Sequence, residues 1–296
     1  MSAVTVDGVS NEPERATVER YYDDRVAEKL RDFTERLPRI EAAVATIAQW
    51  APAAPRRVLE IGCGIGATTW RMARAWPGAE VIGVDLSPTS IEVATTCFRR
   101  ANLSYRAGRL GDCGLDGAFD LILMMDVYEH IAPPERPALH ALLRQLLSAE
   151  SRLLLMVPTP AHQDYLRACL PQGLQPVDED VTPADIVRLA DAVDARLLCY
   201  REVGVWRYGD YFHAALGRTK PLPNVMLRQP RPTAAESVKG AAKRVLGRAA
   251  PAAAALSDYL GPDLLGQGSA ERTSRFDVPL AERRRLAAAW TKAAAR

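Results

Sequence analysis

The stretch Val58-Leu59-Glu60-Ile61-Gly62-Cys63-Gly64-Ile65-Gly66 decides the reading of this chain, together with the helical run from about Ala67 to Trp76 and the β-branched strand Val81 to Val84 that ends at Asp85. A short apolar strand turns through three glycines into a helix. Glycine has no Cβ, so its backbone can adopt left-handed conformations and approach a ligand closely. The acid 25 residues after Glu60 falls where the next strand ends, and there a carboxylate can accept both hydrogen bonds of a ribose diol. The spacing is G-x-G-x-G with an acid two residues before the first glycine. It is neither the G-x-G-x-x-G of the dinucleotide fingerprint nor a phosphate cradle, since no G-K-[ST] follows.

Outward from this loop the chain alternates. The runs LSYRA (103–107), FDLILMMDV (119–127) and RLLLMVP (152–158) read as strands, and RLLCYREVGVW (196–206) and DYFHAALG (210–217) as two more. Ser87-Pro88 opens a helix to about Arg100, another spans about Ala138 to Leu147, and Thr182-Pro183-Ala184-Asp185 starts one to about Ala195. Residues 15–50 read as helix interrupted at Pro38. Strands alternating with helices predict an α/β fold: a doubly wound, Rossmann-like, mostly parallel seven-stranded sheet with N-terminal helices and a C-terminal helical extension. Ligands of such sheets bind at the carboxyl ends of the strands. The expected division is an N-terminal helical lid over 1–54, a ligand-binding domain over 55–217 and a basic, proline-containing helical extension over 218–296.

Composition narrows the classes. With 296 residues, 48% hydrophobic and 25% charged, the chain is long enough for a substantial core and is not a disordered or fibrous type. Its longest apolar stretches fall well short of the ~20 residues needed to cross a bilayer. The N-terminus MSAVTVDGVSNEPER has neither a basic n-region nor an apolar h-region, so a cytoplasmic protein is expected. Five cysteines without any C-x-x-C disfavour a disulfide framework and a structural zinc site. The net charge of +2 conceals an asymmetry: residues 218–296 hold 15 Lys and Arg against 6 Asp and Glu, a net of +9, whereas 1–217 hold 23 against 30, a net of −7.

The glycine loop with its acid, Asp85, the Gly111-Asp112 pair before the fourth strand, and FDLILMMDVYEHI (119–131) with its terminal acid and histidine together resemble the class I S-adenosylmethionine-dependent methyltransferases, whose first motif is acid-x-G-x-G-x-G. The resemblance covers roughly 55–217. It implies that Glu60, Gly62, Cys63, Gly64 and Gly66 hold the methionine moiety, Asp85 the ribose hydroxyls and Asp112 the adenine amine, with Leu86 and Cys113 flanking the adenine ring and Asp126 beside the cofactor. Tyr21, Tyr22 and Asp23 lie in the first helix, which in family members often folds over the cofactor as a lid. Tyr22 is therefore counted with the cofactor set. The competing reading of these residues is an amphipathic helix packed on the core. A sulfonium cofactor carries no phosphate, which agrees with the absence of a lysine after the glycines.

Methyl transfer from a sulfonium is an in-line displacement on an activated reagent, so alignment supplies much of the acceleration. A hydroxyl acceptor must also lose its proton, which calls for a general base. Among four histidines, His130 at the end of the fourth strand is the first candidate, with Glu129 to orient it or bind a substrate hydroxyl, and His162 after the fifth strand is the second. His213, inside the last strand, and His140, mid-helix, read as structural or exposed. Asp126, Glu129 and His130 could ligate a divalent metal that acidifies a sugar diol, but their spacing lacks the specificity of H-E-x-x-H and no metal is expected. The expected reaction is O-methylation of a small molecule, a carbohydrate or secondary metabolite. Alternatives are N- or C-methylation, an NAD-dependent oxidoreductase and a catalytically silent scaffold. In the basic tail, Val238, Ala241, Ala242, Val245 and Leu246 form an apolar stripe with Lys239, Lys243, Arg244 and Arg248 largely away from it, and a last helix is expected over Leu280 to Ala295. Such a segment suits a homodimer contact or an anionic surface. Nucleic acid is not expected, because the tail has few aromatics and the body is acidic.

Overall fold

The computed structural model describes Tyr21, residues 25–218 and residues 274–294. Its apolar runs become seven strands: β1 Arg57–Ile61, β2 Glu80–Asp85, β3 Leu103–Ala107, β4 Phe119–Met125, β5 Leu147–Pro158, β6 Arg196–Val203 and β7 Tyr211–Gly217. They form one sheet in the order β3-β2-β1-β4-β5-β7-β6. The first five pair parallel, and β7 lies antiparallel between β5 and β6. The order reverses between β1 and β4, which opens a crevice at their carboxyl ends.

The helices are α1 Val26–Glu35, α2 Pro38–Trp50, α3 Ala67–Ala75, α4 Pro88–Cys97, α5 Arg136–Leu146, α6 Pro160–Cys169, α7 Pro183–Ala192 and α8 Leu280–Ala294. Both sheet faces are covered, and for that reason β1, β2, β4 and β5 are apolar on both sides. Leu59, Ile82, Ile122 and Leu155 pack toward Leu143 of α5 and Ile186 and Leu189 of α7. Val58, Val81, Leu121 and Met156 pack toward Val44 and Ile47 of α2, Met72 of α3 and Phe276. Helix starts follow the expected caps: Ser87 Oγ accepts from the Ser90 amide at 2.9 Å, and Thr182 forms a reciprocal capping box with Asp185.

Some boundaries move for local reasons. The interruption expected at Pro38 falls two residues earlier, at Arg36, a left-handed residue (φ 61°), and the second helix, expected over Arg39 to Trp50, starts at Pro38. The strand expected to run to Trp206 stops at Val203, because the Asp210 carboxylate gathers the amides of Val205, Trp206 and Arg207 into a loop at 2.8–2.9 Å. The apolar stripe at 238–246 lies outside the described residues. No helix among them is long and apolar enough to cross a membrane.

The end of the chain packs on its beginning. Val278 and Leu286 join Val26, Leu30 and Phe33 of α1, Trp70 and Phe98 in a third apolar cluster. An ion network reinforces it. Glu41 of α2 accepts from Arg71 at 2.8 and 3.3 Å and from Arg283 at 3.3 Å, while Arg71 also donates to the Phe276 carbonyl and Arg283 to the Phe33 carbonyl, each at 2.9 Å. Both guanidinium side chains are 1% exposed, and Glu41, 24% exposed and also paired with Arg36 at 2.9 Å, supplies their counter-charge from the rim of the network. Partial burial alone would raise the Glu41 carboxyl, but the arginines outweigh it and lower its pKa to about 2. Glu41→Gln should cost about 3 kcal/mol in denaturant unfolding at neutral pH, since two buried cations lose their partner. Because the folded-state pKa is depressed, the Glu41 contribution is complete above the ordinary carboxylate range and disappears as pH falls toward 2. The stability of the variant should therefore decline less over that acid window than that of the wild type.

Candidate active site

The loop after β1 is built around three glycines with positive φ, at 72° for Gly62, 52° for Gly64 and 80° for Gly66. Gly62 has no alternative, because a Cβ there would stand 2.2 Å from Cγ2 of Val127 on the neighbouring crossover. Val127 is brought in by Asp126, which ends β4 in a left-handed conformation (φ 53°). The loop hangs on the end of β2: the amides of Gly62 and Cys63 donate to the Val84 carbonyl at 2.8 and 3.0 Å. Asp85 holds it from the side, accepting from the Gly64 amide at 2.6 Å and the Ser87 amide at 2.9 Å. The Asp85 carboxylate, expected to meet the ribose, is thus a loop anchor.

Glu60 lies beneath, completely buried. Its Oε2 accepts a close hydrogen bond from the Thr69 hydroxyl, and its Oε1 has no partner among the described residues. Burial, opposed by the Thr69 bond and helped by the Asp85 charge, pushes its carboxyl up to about 8. Burial likewise pushes the Cys63 thiol well up, so it behaves as an apolar lining group. Leu86 follows Asp85 and is half-buried, and Asp112 is exposed on a one-turn 3₁₀ segment, Leu110–Asp112. Cys113 packs with Leu110 against the core. The candidate adenine contacts therefore line the rim, whereas Glu60 and Cys63 form the floor. Tyr22 and Asp23 lie outside the described residues. Tyr21 is half-buried with the Arg25 guanidinium 3.6 Å over its ring.

At the end of β4, Asp126 forms a close ion pair with Arg39 of α2, which fewer than ninety residues of local pattern could not announce. Val127-Tyr128-Glu129-His130 follow as a tight turn in which Glu129 is buried and the His130 side chain is 11% exposed. His130 Nδ1 lies 2.6 Å from the Val177 carbonyl and 3.1 Å from Asp178 Oδ1. A carbonyl only accepts, so Nδ1 carries a proton, and Nε2 is buried with no hydrogen-bond partner among the described residues. Burial alone would lower the imidazole pKa, but Glu129, Asp178 and the Val177 carbonyl raise it above the ordinary value. Burial pushes the Glu129 carboxyl up, against the attraction of His130.

The other histidines separate cleanly. His162 sits in the first turn of α6, capped by Thr159, with Trp206 stacked 6.2 Å away and Tyr165 and Tyr211 at 6.4 and 6.0 Å. Burial lowers its pKa, so it is a neutral ring at physiological pH. His213 is buried inside β7 against the Thr46 hydroxyl at 2.6 Å, and burial lowers it to about 4, a structural role. His140 pairs with the Tyr128 hydroxyl at 2.9 Å instead of facing water. Asp126, Glu129 and His130 do not converge on one point, and among the described residues no three His, Cys, Asp or Glu side chains form a metal-binding group. Asp178 and Arg39 escaped the sequence reading because one lies in an irregular loop and the other in a remote helix.

Residues 58–150 match the family model of a methyltransferase domain. The sheet order, the reversal at β1 and β4 and the glycine loop accord with that match and support the resemblance of this part of the chain to the class I S-adenosylmethionine-dependent methyltransferases. Over 79 residues it is 47% identical to a ubiquinone biosynthesis O-methyltransferase of Mesorhizobium japonicum, a stretch covering 26% of this chain and 31% of that protein. A protein of the same name from Cupriavidus pinatubonensis is 27% identical over 166 residues, covering 50% of this chain and 65% of that protein. The chain thus spans less than two thirds of these relatives. A SAM-dependent methyltransferase from Anabaena variabilis shares the fold at a TM-score of 0.52 and 20% identity, covering 74% of this chain and 99% of that one.

The residues present fit S-adenosylmethionine, the cofactor of this domain class. Glu60 offers an unpartnered buried oxygen suited to the ammonium of a methionine moiety, beneath a turn whose backbone bears no side chain at Gly62, Gly64 or Gly66. Gly62→Ala should reduce S-adenosylhomocysteine affinity by at least about tenfold in calorimetric titration, with the far-ultraviolet circular dichroism retained, because a strained φ and the Val127 contact both act on this one loop.

Proposed function

We propose that the chain transfers a methyl group from S-adenosylmethionine to a hydroxyl of a ring-bearing small molecule, a carbohydrate or secondary metabolite, with His130 as the general base. The observation that carries this reading is the state of the imidazole. Nδ1 is committed to Val177 and Asp178, and Nε2, just beyond the carboxyl end of β4, is buried without a hydrogen-bond partner among the described residues. The relatives' names, both O-methyltransferases, support oxygen as the acceptor atom.

When bound, the cofactor supplies a methyl carbon made electrophilic by the sulfonium. His130 takes the hydroxyl proton as the oxygen attacks, and Asp178 steadies the resulting imidazolium through Nδ1. Glu129, completely buried with Oε1 3.7 Å from Nε2, orients the imidazole and favours its charged form. Beyond β5, Trp206 (51% exposed), Tyr165, Tyr211 and the neutral His162 form an aromatic wall, and Pro158 at the end of β5 pairs with Tyr211, so the wall adjoins the strand next to β4. Such a wall favours a flat or ring-shaped acceptor.

The test is release of S-adenosylhomocysteine with a panel of phenols, catechols and monosaccharides. On an accepted substrate, His130→Gln should lower kcat by about 10²- to 10⁴-fold with cofactor affinity within about twofold, and wild-type turnover would overturn the assignment. A base must be deprotonated, so the acid limb of kcat/KM should lie above the usual imidazole pKa. Asp178→Asn removes a charge that raises that pKa, and the limb should move to lower pH as kcat falls. Trp206→Ala should raise KM by about 3- to 10-fold through lost stacking, leaving kcat nearly unchanged.

A further inference from the structure

Lys29 belongs to no motif, yet it lies over the glycine loop. A Cβ built on Gly64 would stand 3.4 Å from the Lys29 ammonium and 3.8 and 3.9 Å from Cδ and Cε, so the side chain runs along the loop with its charge at the loop's middle glycine. The helix that carries it is well anchored. Val26, Leu30 and Phe33 of α1 are buried against Ile65, Trp70 and Phe98, Phe33 meets Phe98 edge to face at 5.0 Å, and Arg283 holds the Phe33 carbonyl. On the inner side of the same loop, Glu60 Oε1 is buried with no partner among the described residues. A cation outside and a buried carboxyl group inside thus bracket the turn.

We propose that Lys29 binds the carboxylate of the cofactor's methionine moiety, so that the loop recognises the amino-acid end as a zwitterion, its ammonium toward Glu60 and its carboxylate toward Lys29. The assignment rests on the reading of the loop as the S-adenosylmethionine site. It gives a cationic role to a helix outside the glycine motif and makes selection against adenosine compounds that lack the amino-acid end depend on one side chain.

Two ligands separate this from simple packing. S-adenosylhomocysteine carries the amino-acid end, whereas 5′-deoxy-5′-methylthioadenosine has the same nucleoside and a thioether without it. In calorimetric titrations of the full chain, Lys29→Met should weaken S-adenosylhomocysteine by about 10- to 100-fold, the range for a lost charge-assisted hydrogen bond. Binding of methylthioadenosine should stay within about twofold of wild type, which also reports that the site is folded. Lys29→Arg should retain most of the preference for S-adenosylhomocysteine. Equal weakening of both ligands in Lys29→Met, or no loss for S-adenosylhomocysteine, would overturn the assignment alone. A wild-type chain that bound neither ligand would overturn the cofactor reading and this assignment with it.

Discussion

Asp85 accepts from the amide of Gly64 with one oxygen and from that of Ser87 with the other, and the working edge of the molecule is arranged around that pair of bonds. One ties the glycine turn to the end of β2, and the other sets the entry of α4. Because Gly62 and Cys63 also donate to Val84, three amide bonds fix the loop to β2, and Ile65 seats its far end in the apolar cluster around Trp70 and Phe98. At Gly62 the left-handed turn and the approach of Val127 exclude any side chain.

The same edge concentrates groups that are costly to bury. Glu60 and Glu129 are completely enclosed, and burial raises both carboxyls. In a fold selected only for stability such groups would be replaced by apolar ones, since desolvation outweighs what a single hydrogen bond returns. Their persistence beside an imidazole whose Nε2 is left unpartnered is the pattern expected where charge must be met by a ligand. His213 differs in charge: inside β7, with Nδ1 on Thr46, it is held neutral by burial and has no carboxylate beside it, although its Nε2 likewise has no partner among the described residues.

Stability at the opposite side comes from closing the chain on itself. Glu41 neutralises Arg71 and Arg283, which in turn cap carbonyls at Phe276, Val278 and Phe33. Residues 274–294 therefore act on α1, the helix that brings Lys29 to the loop. Sequence-distant segments are coupled here through two buried guanidinium groups.

What the sequence determined by itself were the features with local causes. Apolar runs of five to seven residues buried on both faces marked the strands, the left-handed requirement marked the glycine turn, and Ser87 and Thr182 marked helix starts through hydrogen bonds within three residues. Glu60, Asp85 and His130 were legible because each stands at a strand end whose place follows from that pattern. Tertiary structure alone decided which partners those groups meet. Asp178 reaches His130 from an irregular loop, Arg39 reaches Asp126 from α2, and Lys29 reaches Gly64 from α1. No periodicity encodes these encounters, because each depends on how helices and loops with no common repeat come together at one edge of the sheet. The strand ends were fixed by local backbone preference, but the electrostatic state of every group on them was fixed by its distant neighbours.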